Sequence, residues 1–173
     1  NYLDHLSDHH PQVTLTVKNF GTIQIELFPE IAPNTVHNFI YHIQQNFYPG
    51  TIFHRIIPGF MIQGGGGREV RPIKGEFAIN GFNNALKHVR GTISMARTSN
   101  PNSQTTQFFI MHHDAPHLDR QYAAFGGVIS GIEIVDRNAV LARDHMDKPL
   151  EDVVIERIEI DLRGYEPSDP LFI

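Results

Sequence analysis

Few residues in this chain are placed to do chemistry. In FHRIIPGFMIQGGGG (Phe53–Gly67) one arginine, Arg55, stands among Phe, Ile and Met, a Pro-Gly pair interrupts the run, and consecutive glycines end it. Three readings are open: a buried strand with an odd charge, a phosphate-cradling loop, or one wall of a site for something apolar. The phosphate reading fails, because no Gly-Lys-Ser/Thr follows and no βαβ unit surrounds the glycines. An unpaired buried guanidinium is expensive, so Arg55 needs a carboxylate partner or a solvent-lined cleft. A second stretch, TTQFFIM (Thr105–Met111), again sets a glutamine beside aromatics. On a strand Gln107, Phe109 and Met111 share one face, and Phe108 and Ile110 share the other. One set can fill a core, where Phe108 belongs, while the other lines a groove.

The familiar catalytic sets find little support. His112 and His113 are adjacent, so on a strand they point to opposite faces and do not easily share an ion. With His117 and Asp119 nearby a zinc site is conceivable, but exposed loop histidines explain the pattern better. No G-x-S-x-G elbow is present, although composition alone does not exclude a Ser-His-Asp triad. Paired carboxylates in an apolar setting are missing. The absence of cysteine removes disulfides, thiolate metal sites and thiol nucleophiles, and is compatible with any compartment. A net charge of −5 argues against a general nucleic-acid binder. No apolar run approaches the ~20 residues of a membrane-spanning helix. The N-terminus, NYLDHLSDHHPQ, has neither the basic nor the apolar region of a signal peptide. A cytoplasmic location is the default, with a removed export signal as the alternative.

These residues must be held by something. At 173 residues, 40% apolar and 19% charged, the chain suits one globular domain with its own core. Residues 1–12 read as a flexible, His-rich arm. VTLTV (Val13–Val17) and IQIEL (Ile23–Leu27) alternate apolar and polar residues about an Asn-Phe-Gly turn, as a hairpin does. Val36, Phe39, Ile40 and Ile43 recur at helical spacing, with Asn34 as the expected N-cap and an end near Asn46. His37 and His42 fall toward the polar flanks. Short strands are expected over 51–56, 61–63, 92–96, 107–111 and 125–129, a second helix over 132–141 and a last strand over 153–162. Residues 64–90 and 97–106 read as loops, and 163–173 as a tail. Many short strands with two helices indicate a mainly β chain, a barrel or sandwich with helical caps.

Several stretches in order, from Val13 to Leu162, resemble the cyclophilin family of peptidyl-prolyl cis-trans isomerases. They are APNTVHNFI (Ala32–Ile40), FHRIIPGFMIQGG (Phe53–Gly65), GTISMA (Gly91–Ala96), TQFFI (Thr106–Ile110), LDRQYAAFGGVISG (Leu118–Gly131) and DKPLEDVVIERIEI (Asp147–Ile160). The compact loops and Tyr122 look closer to bacterial members. The resemblance implies a closed eight-stranded antiparallel β-barrel capped by two α-helices, with the isomerase domain over 13–162. It implies a site on the outer wall: Arg55, Gln63 and Phe60 as catalytic residues, and Met61, Ala96, Arg97, Gln107, Phe109, His117, Leu118 and Tyr122 as substrate-binding residues. It implies action on proline-containing peptides and on unfolded or folding proteins, with no cofactor, no metal, no nucleic acid, no membrane and a monomeric state. Turning an X-Pro bond cleaves nothing, which accounts for the missing nucleophile and metal set. The chain departs from the commonest pattern at His117, where many members carry Trp, and at Tyr122, where many carry His. Arg97 stands where Asn is usual, making the rim more basic and suited to acidic neighbours of proline. Since the resemblance ties the Trp to cyclosporin, weak cyclosporin binding is expected. The other function class to weigh is a module that binds Pro-containing segments without turnover; a barrel with a vestigial groove is more remote. The intact Arg55, Gln63 and Phe109 favour the enzyme.

Overall fold

The computed structural model describes residues 1–173. Strands β1 (Gln12–Val17), β2 (Gly21–Leu27), β3 (Phe53–Ile57), β4 (Met61–Gly64), β5 (Thr92–Met95), β6 (Phe108–Met111), β7 (Ala124–Ser130) and β8 (Ile155–Asp161) form one sheet. Its order is β3-β4-β6-β5-β7-β2-β1-β8 and every pairing is antiparallel. The expected eight-stranded antiparallel sheet with two helices is present, curled on itself. No continuous ladder joins its edge strands β3 and β8. They meet in a short seam just before each strand, at the bridge Ile52–Val154 and the hydrogen bonds Phe53 N–H to Val153 O (2.9 Å), Ile155 N–H to Thr51 O (2.8 Å) and Gly50 N–H to Ile155 O (2.8 Å).

Helix α1 (Pro33–Gln44) lays Val36, Phe39, Ile40 and Ile43 onto the core. Its N-cap is Ala32, not the expected Asn34, and Pro33 opens the helix, where its missing N–H is no loss. The cap arrives from a distant loop instead. The Glu76 carboxylate accepts from the N–H groups of Asn34 (3.3 Å) and Thr35 (2.7 Å) and from the Thr35 hydroxyl (2.6 Å). A carboxylate there satisfies orphan donors and complements the helix dipole. The Asn34 side chain is freed to bond both backbone groups of Leu171 in the tail. His42 is not on a polar flank either: it is buried against Phe47 and Phe172. The second helix, α2 (Ile132–Ala139), packs Ile134, Val135 and Ala139 into the same core.

Strand alternation divides the apolar residues into two sets. Phe53, Ile62, Phe108 and Ile110 point inward to a core in which Phe39, Tyr48, Phe108 and Phe125 meet mostly edge to face. Met61, Phe109 and Met111 point outward and form a separate cluster with Ala115 and Leu118. The glycines at the end of β4 and just after it serve close packing: a Cβ on Gly64 would lie 2.7 Å from the Ile52 carbonyl, and one on Gly65 would lie 2.8 Å from the Tyr48 ring.

The N-terminal arm, expected to be loose, is packed on the sheet. Residues 2–5 form a 3-10 turn, and Tyr2 is buried with Phe28, Leu86 and Ala124. Its hydroxyl donates to Val128 O at 2.8 Å. Gly127 makes the slot, since a Cβ there would fall 2.0 Å from the Tyr2 ring. His10 is buried too, each ring nitrogen 3.0 Å from a carboxylate, Glu26 on one side and Glu30 on the other. Periodicity does not detect such a segment, because two isolated anchoring rings leave no pattern.

Candidate active site

The outward cluster floors a groove on the curled sheet. Arg55 pairs with Gln63 across the β3–β4 ladder, and Gln63 pairs with Phe109 across β4–β6, so these side chains share one face. Phe60 joins them from the β3–β4 turn. Ala96 and Arg97 follow β5, and Leu118 and Tyr122 come from the segment before β7. Together they enclose an open hollow of about 140 Å³ lined by Arg55, Phe60, Met61, Gln63, Ala96, Arg97, Phe109, Leu118 and Tyr122. Gln107 lies on the adjoining hollow, shared with Gln63, Ala96 and Arg97. His117 stands exposed at the rim with its ring 5.8 Å from that of Phe60. Every residue expected at the site is thus brought to this groove or its margin.

Polar groups run through the apolar lining as one chain. Arg55 Nη1 donates to Gln63 Oε1 at 3.4 Å, and Gln63 Nε2 donates to Gln107 Oε1 at 3.1 Å. Arg55 is exposed and has no carboxylate partner, so the second alternative raised by its sequence context, a solvent-lined cleft, is the one realised. Arg97 is differently employed. Its Nε and Nη2 donate to Gln121 O (2.9 and 2.7 Å), its Nη1 donates to Thr98 O (3.0 Å), and the guanidinium lies 4.6 Å from the Tyr122 ring and 4.8 Å from the Phe77 ring. Its three bonds and two ring contacts make it a clamp on Tyr122.

The family model described as cyclophilin type peptidyl-prolyl cis-trans isomerase/CLD matches residues 12–160. The chain belongs to this family. A peptidyl-prolyl cis-trans isomerase of Acinetobacter baylyi is 43% identical over 158 residues, covering 82% of this chain and 81% of the relative. Peptidyl-prolyl cis-trans isomerase B of Escherichia coli K12 is 42% identical over 157 residues, covering 82% and 95%. Among solved structures, a cyclophilin type isomerase of Cryptosporidium parvum superposes with a TM-score of 0.79 at 30% identity, over 88% of this chain and 98% of that one. The same protein in the presence of the dipeptide Ala-Pro gives 0.78 at 32% identity, over 87% and 98%.

Behind the groove of this cyclophilin lie groups that sequence reasoning missed. His88 is buried, with Nδ1 3.1 Å from Asp119 Oδ1 and Nε2 2.9 Å from Ser94 Oγ. The order Ser-His-Asp is that of a hydrolase triad, but Ser94 is wholly buried and its hydroxyl faces no substrate space. Burial holds the His88 imidazole below the ordinary histidine value against the opposing pull of the Asp119 carboxylate. Its ring instead stacks on Phe109 at 6.0 Å and meets Tyr122 edge on at 6.5 Å, so it backs the groove wall. The expectation for the neighbouring histidines also changes: His112 is half-buried and bonded to Gly59 in the β3–β4 turn. Larger hollows exist, one of about 360 Å³ between Phe20, Leu141 and Leu150, but it holds no arginine–glutamine pair over an apolar floor. No group of three or more His, Cys, Asp or Glu side chains is gathered as a metal would need, and no helix is long and apolar enough to cross a membrane.

Proposed function

We propose that the outer groove is where this cyclophilin turns X-Pro peptide bonds, with Arg55 acting on the imide nitrogen. Peptidyl-prolyl cis-trans isomerase activity comes with the family; the part taken by each residue is inferred. The barrier to rotation, roughly 18–20 kcal/mol, is amide resonance, while cis and trans proline bonds lie within about 1 kcal/mol of each other. A catalyst must hold the proline ring and favour the twisted state in which the nitrogen pyramidalises and regains its lone pair. Phe60, Met61, Phe109 and Leu118 offer the ring an apolar seat. Arg55 donates to the nitrogen most strongly when conjugation is broken, which is selective stabilisation of the transition state. Gln63 orients Arg55 and bonds the substrate backbone, and the backbone at Ala96 and Arg97 receives the residue before proline. The substrates are proline-containing peptides and folding proteins; a cyclophilin structure similar to this one was solved in the presence of Ala-Pro.

The observation that carries this reading is the tether of an exposed, carboxylate-free Arg55 to Gln63 at the mouth of an apolar hollow. Arg55→Ala is expected to lower kcat/KM by about 100- to 1000-fold, the size seen when one transition-state donor is removed, with the fold intact. Exchange spectroscopy on a Pro peptide reads this directly. A wild-type rate no faster than the uncatalysed one would leave only a binding module, and a full rate in Arg55→Ala would dismiss the mechanism.

The same reading takes the sheet as a closed barrel, with the Ile52–Val154 seam joining its edges. Slow hydrogen exchange at the Phe53 and Ile155 amides would support that closure, and solvent-like exchange would refute it.

A further inference from the structure

We propose that His112 is a positioning residue for the isomerase groove: its unprotonated Nδ1 holds the β3–β4 turn that presents Phe60, so protonation of this imidazole loosens the proline-ring wall. The inference rests on the reading of Phe60 as part of that wall.

Phe60 leaves the sheet at a Pro58-Gly59 turn closed by Phe60 N–H donating to Ile57 O at 3.0 Å, with Gly59 at φ 77°. Pro then Gly at the two central positions is the type II arrangement, in which the second residue needs positive φ. The turn is gripped from β6 in two ways. The His112 N–H donates to Phe60 O at 2.8 Å, with His113 N–H at 3.3 Å. The Gly59 N–H donates to His112 Nδ1 at 2.8 Å. On the far side of the ring, His112 Nε2 is 3.2 Å from Asp136 Oδ1. An amide can only donate and a carboxylate can only accept, so these partners select the tautomer with the proton on Nε2 and the lone pair on Nδ1. Asp136 is itself fixed by Arg90, through Nη1 to Oδ1 (2.5 Å) and Nη2 to Oδ2 (2.8 Å), and Arg90 Nη1 also donates to His112 O at 3.1 Å. The charged and titratable groups around the ring are therefore Asp136 on α2, Arg90 before β5, and His113 and Asp114 next along the chain.

The backbone grip is indifferent to a proton on the ring; the side-chain grip is not. An imidazolium carries two N–H groups and no acceptor. It keeps Asp136 and turns a donor toward the Gly59 N–H, and that bond is lost. Arg55 and Gln63 lie in the ladders away from the turn, so the loss falls on proline-ring binding and appears in KM rather than kcat.

The test measures kcat and KM of peptide isomerisation between about pH 5.5 and pH 8, the range in which histidines titrate. It is run in a His117→Phe background, because the His117 imidazole also borders Phe60. With His112 present, KM is expected to rise about threefold to tenfold toward low pH, the range of one lost hydrogen bond, with kcat nearly constant. His112→Phe keeps a ring without an acceptor and should show the high KM at every pH. His112→Asn supplies a non-titrating acceptor and should restore the low KM at every pH. In wild-type protein the Gly59 amide resonance should titrate together with the His112 ring, a readout that needs no substrate and survives even if His112→Phe fails to fold. A pH-independent KM with His112 present, a normal low KM in His112→Phe, or a Gly59 amide indifferent to pH would each overturn the proposal. Full activity in both Arg55→Ala and Phe60→Ala would instead remove the groove reading and leave the Gly59 titration standing.

Discussion

Arg97 illustrates how far one residue's role depends on partners that are remote in sequence. Read along the chain it is a basic rim residue; folded, each of its three nitrogens donates to the Gln121 or Thr98 carbonyl and its ring contacts are with Tyr122 and Phe77. Arg97→Ala should therefore raise KM severalfold by freeing Tyr122, without altering the preference between acidic and neutral residues before proline. A selective loss of acidic substrates would restore the rim-charge interpretation. His117 lies at the rim with its ring beside Phe60 and offers a smaller imidazole in place of an indole. Cyclosporin is expected to bind weakly, and His117→Trp to tighten it by at least tenfold; a nanomolar wild-type complex measured by calorimetry would contradict this. The types and order of the groove residues were readable, because Arg55, Gln63, Phe109 and Met111 follow strand alternation. His88, His112 and the Arg97 clamp were not, since each takes its meaning from a partner supplied by another part of the fold.

At the scale of elements, alternation and helical spacing located each strand and both helices to within a few residues, because burial on one face imposes those periods. What failed were ends and tethers. The start of α1 is set by Pro33 and by Glu76, a carboxylate from a loop far along the chain, and local capping rules point to Asn34 instead. The arm at residues 1–11 failed for a related reason: it is held by partners far from it in sequence, Tyr2 in a slot that exists because Gly127 has no side chain and His10 between Glu26 and Glu30. Tyr2→Ala should cost about 3 kcal/mol, from lost ring burial and the hydroxyl bond to Val128, read as a lowered urea midpoint. An unchanged midpoint would mean the arm is stability-neutral.

For the whole molecule, buried titratable groups set a direction for acid. His37, His42, His54 and His88 are all held below the ordinary histidine value of 6.5, chiefly by burial. Arg68 adds to the effect at His42, as do Arg55 and Lys148 at His54, while Glu76 opposes it at His37 and Asp119 at His88. The unfolded chain thus takes up these protons first, so stability is full above pH 6.5 and falls as pH drops below it. Burial alone would raise the Glu26 carboxyl, but the hydrogen bonds from His10, Gln12 and Ser7 together hold it below its ordinary 4.5. Its contribution is present above that value and is lost as pH falls through the lower native one. Urea midpoints should therefore be level above about pH 6.5, decline as pH drops from there to about pH 5 and fall further below; a flat profile would contradict the assignment. The sheet that separates the inward core from the outward groove also bears on inheritance. One backbone carries two separate sets of side chains, so on the proposed reading substitutions at Met61, Phe109 or Leu118 should retune what is bound while Phe53, Phe108 and Phe125 keep the protein folded. A scan of all substitutions should show tolerance alternating residue by residue along β6, with abundance sensitive at one parity and turnover at the other. A single-residue insertion there, which swaps the parities, should abolish both.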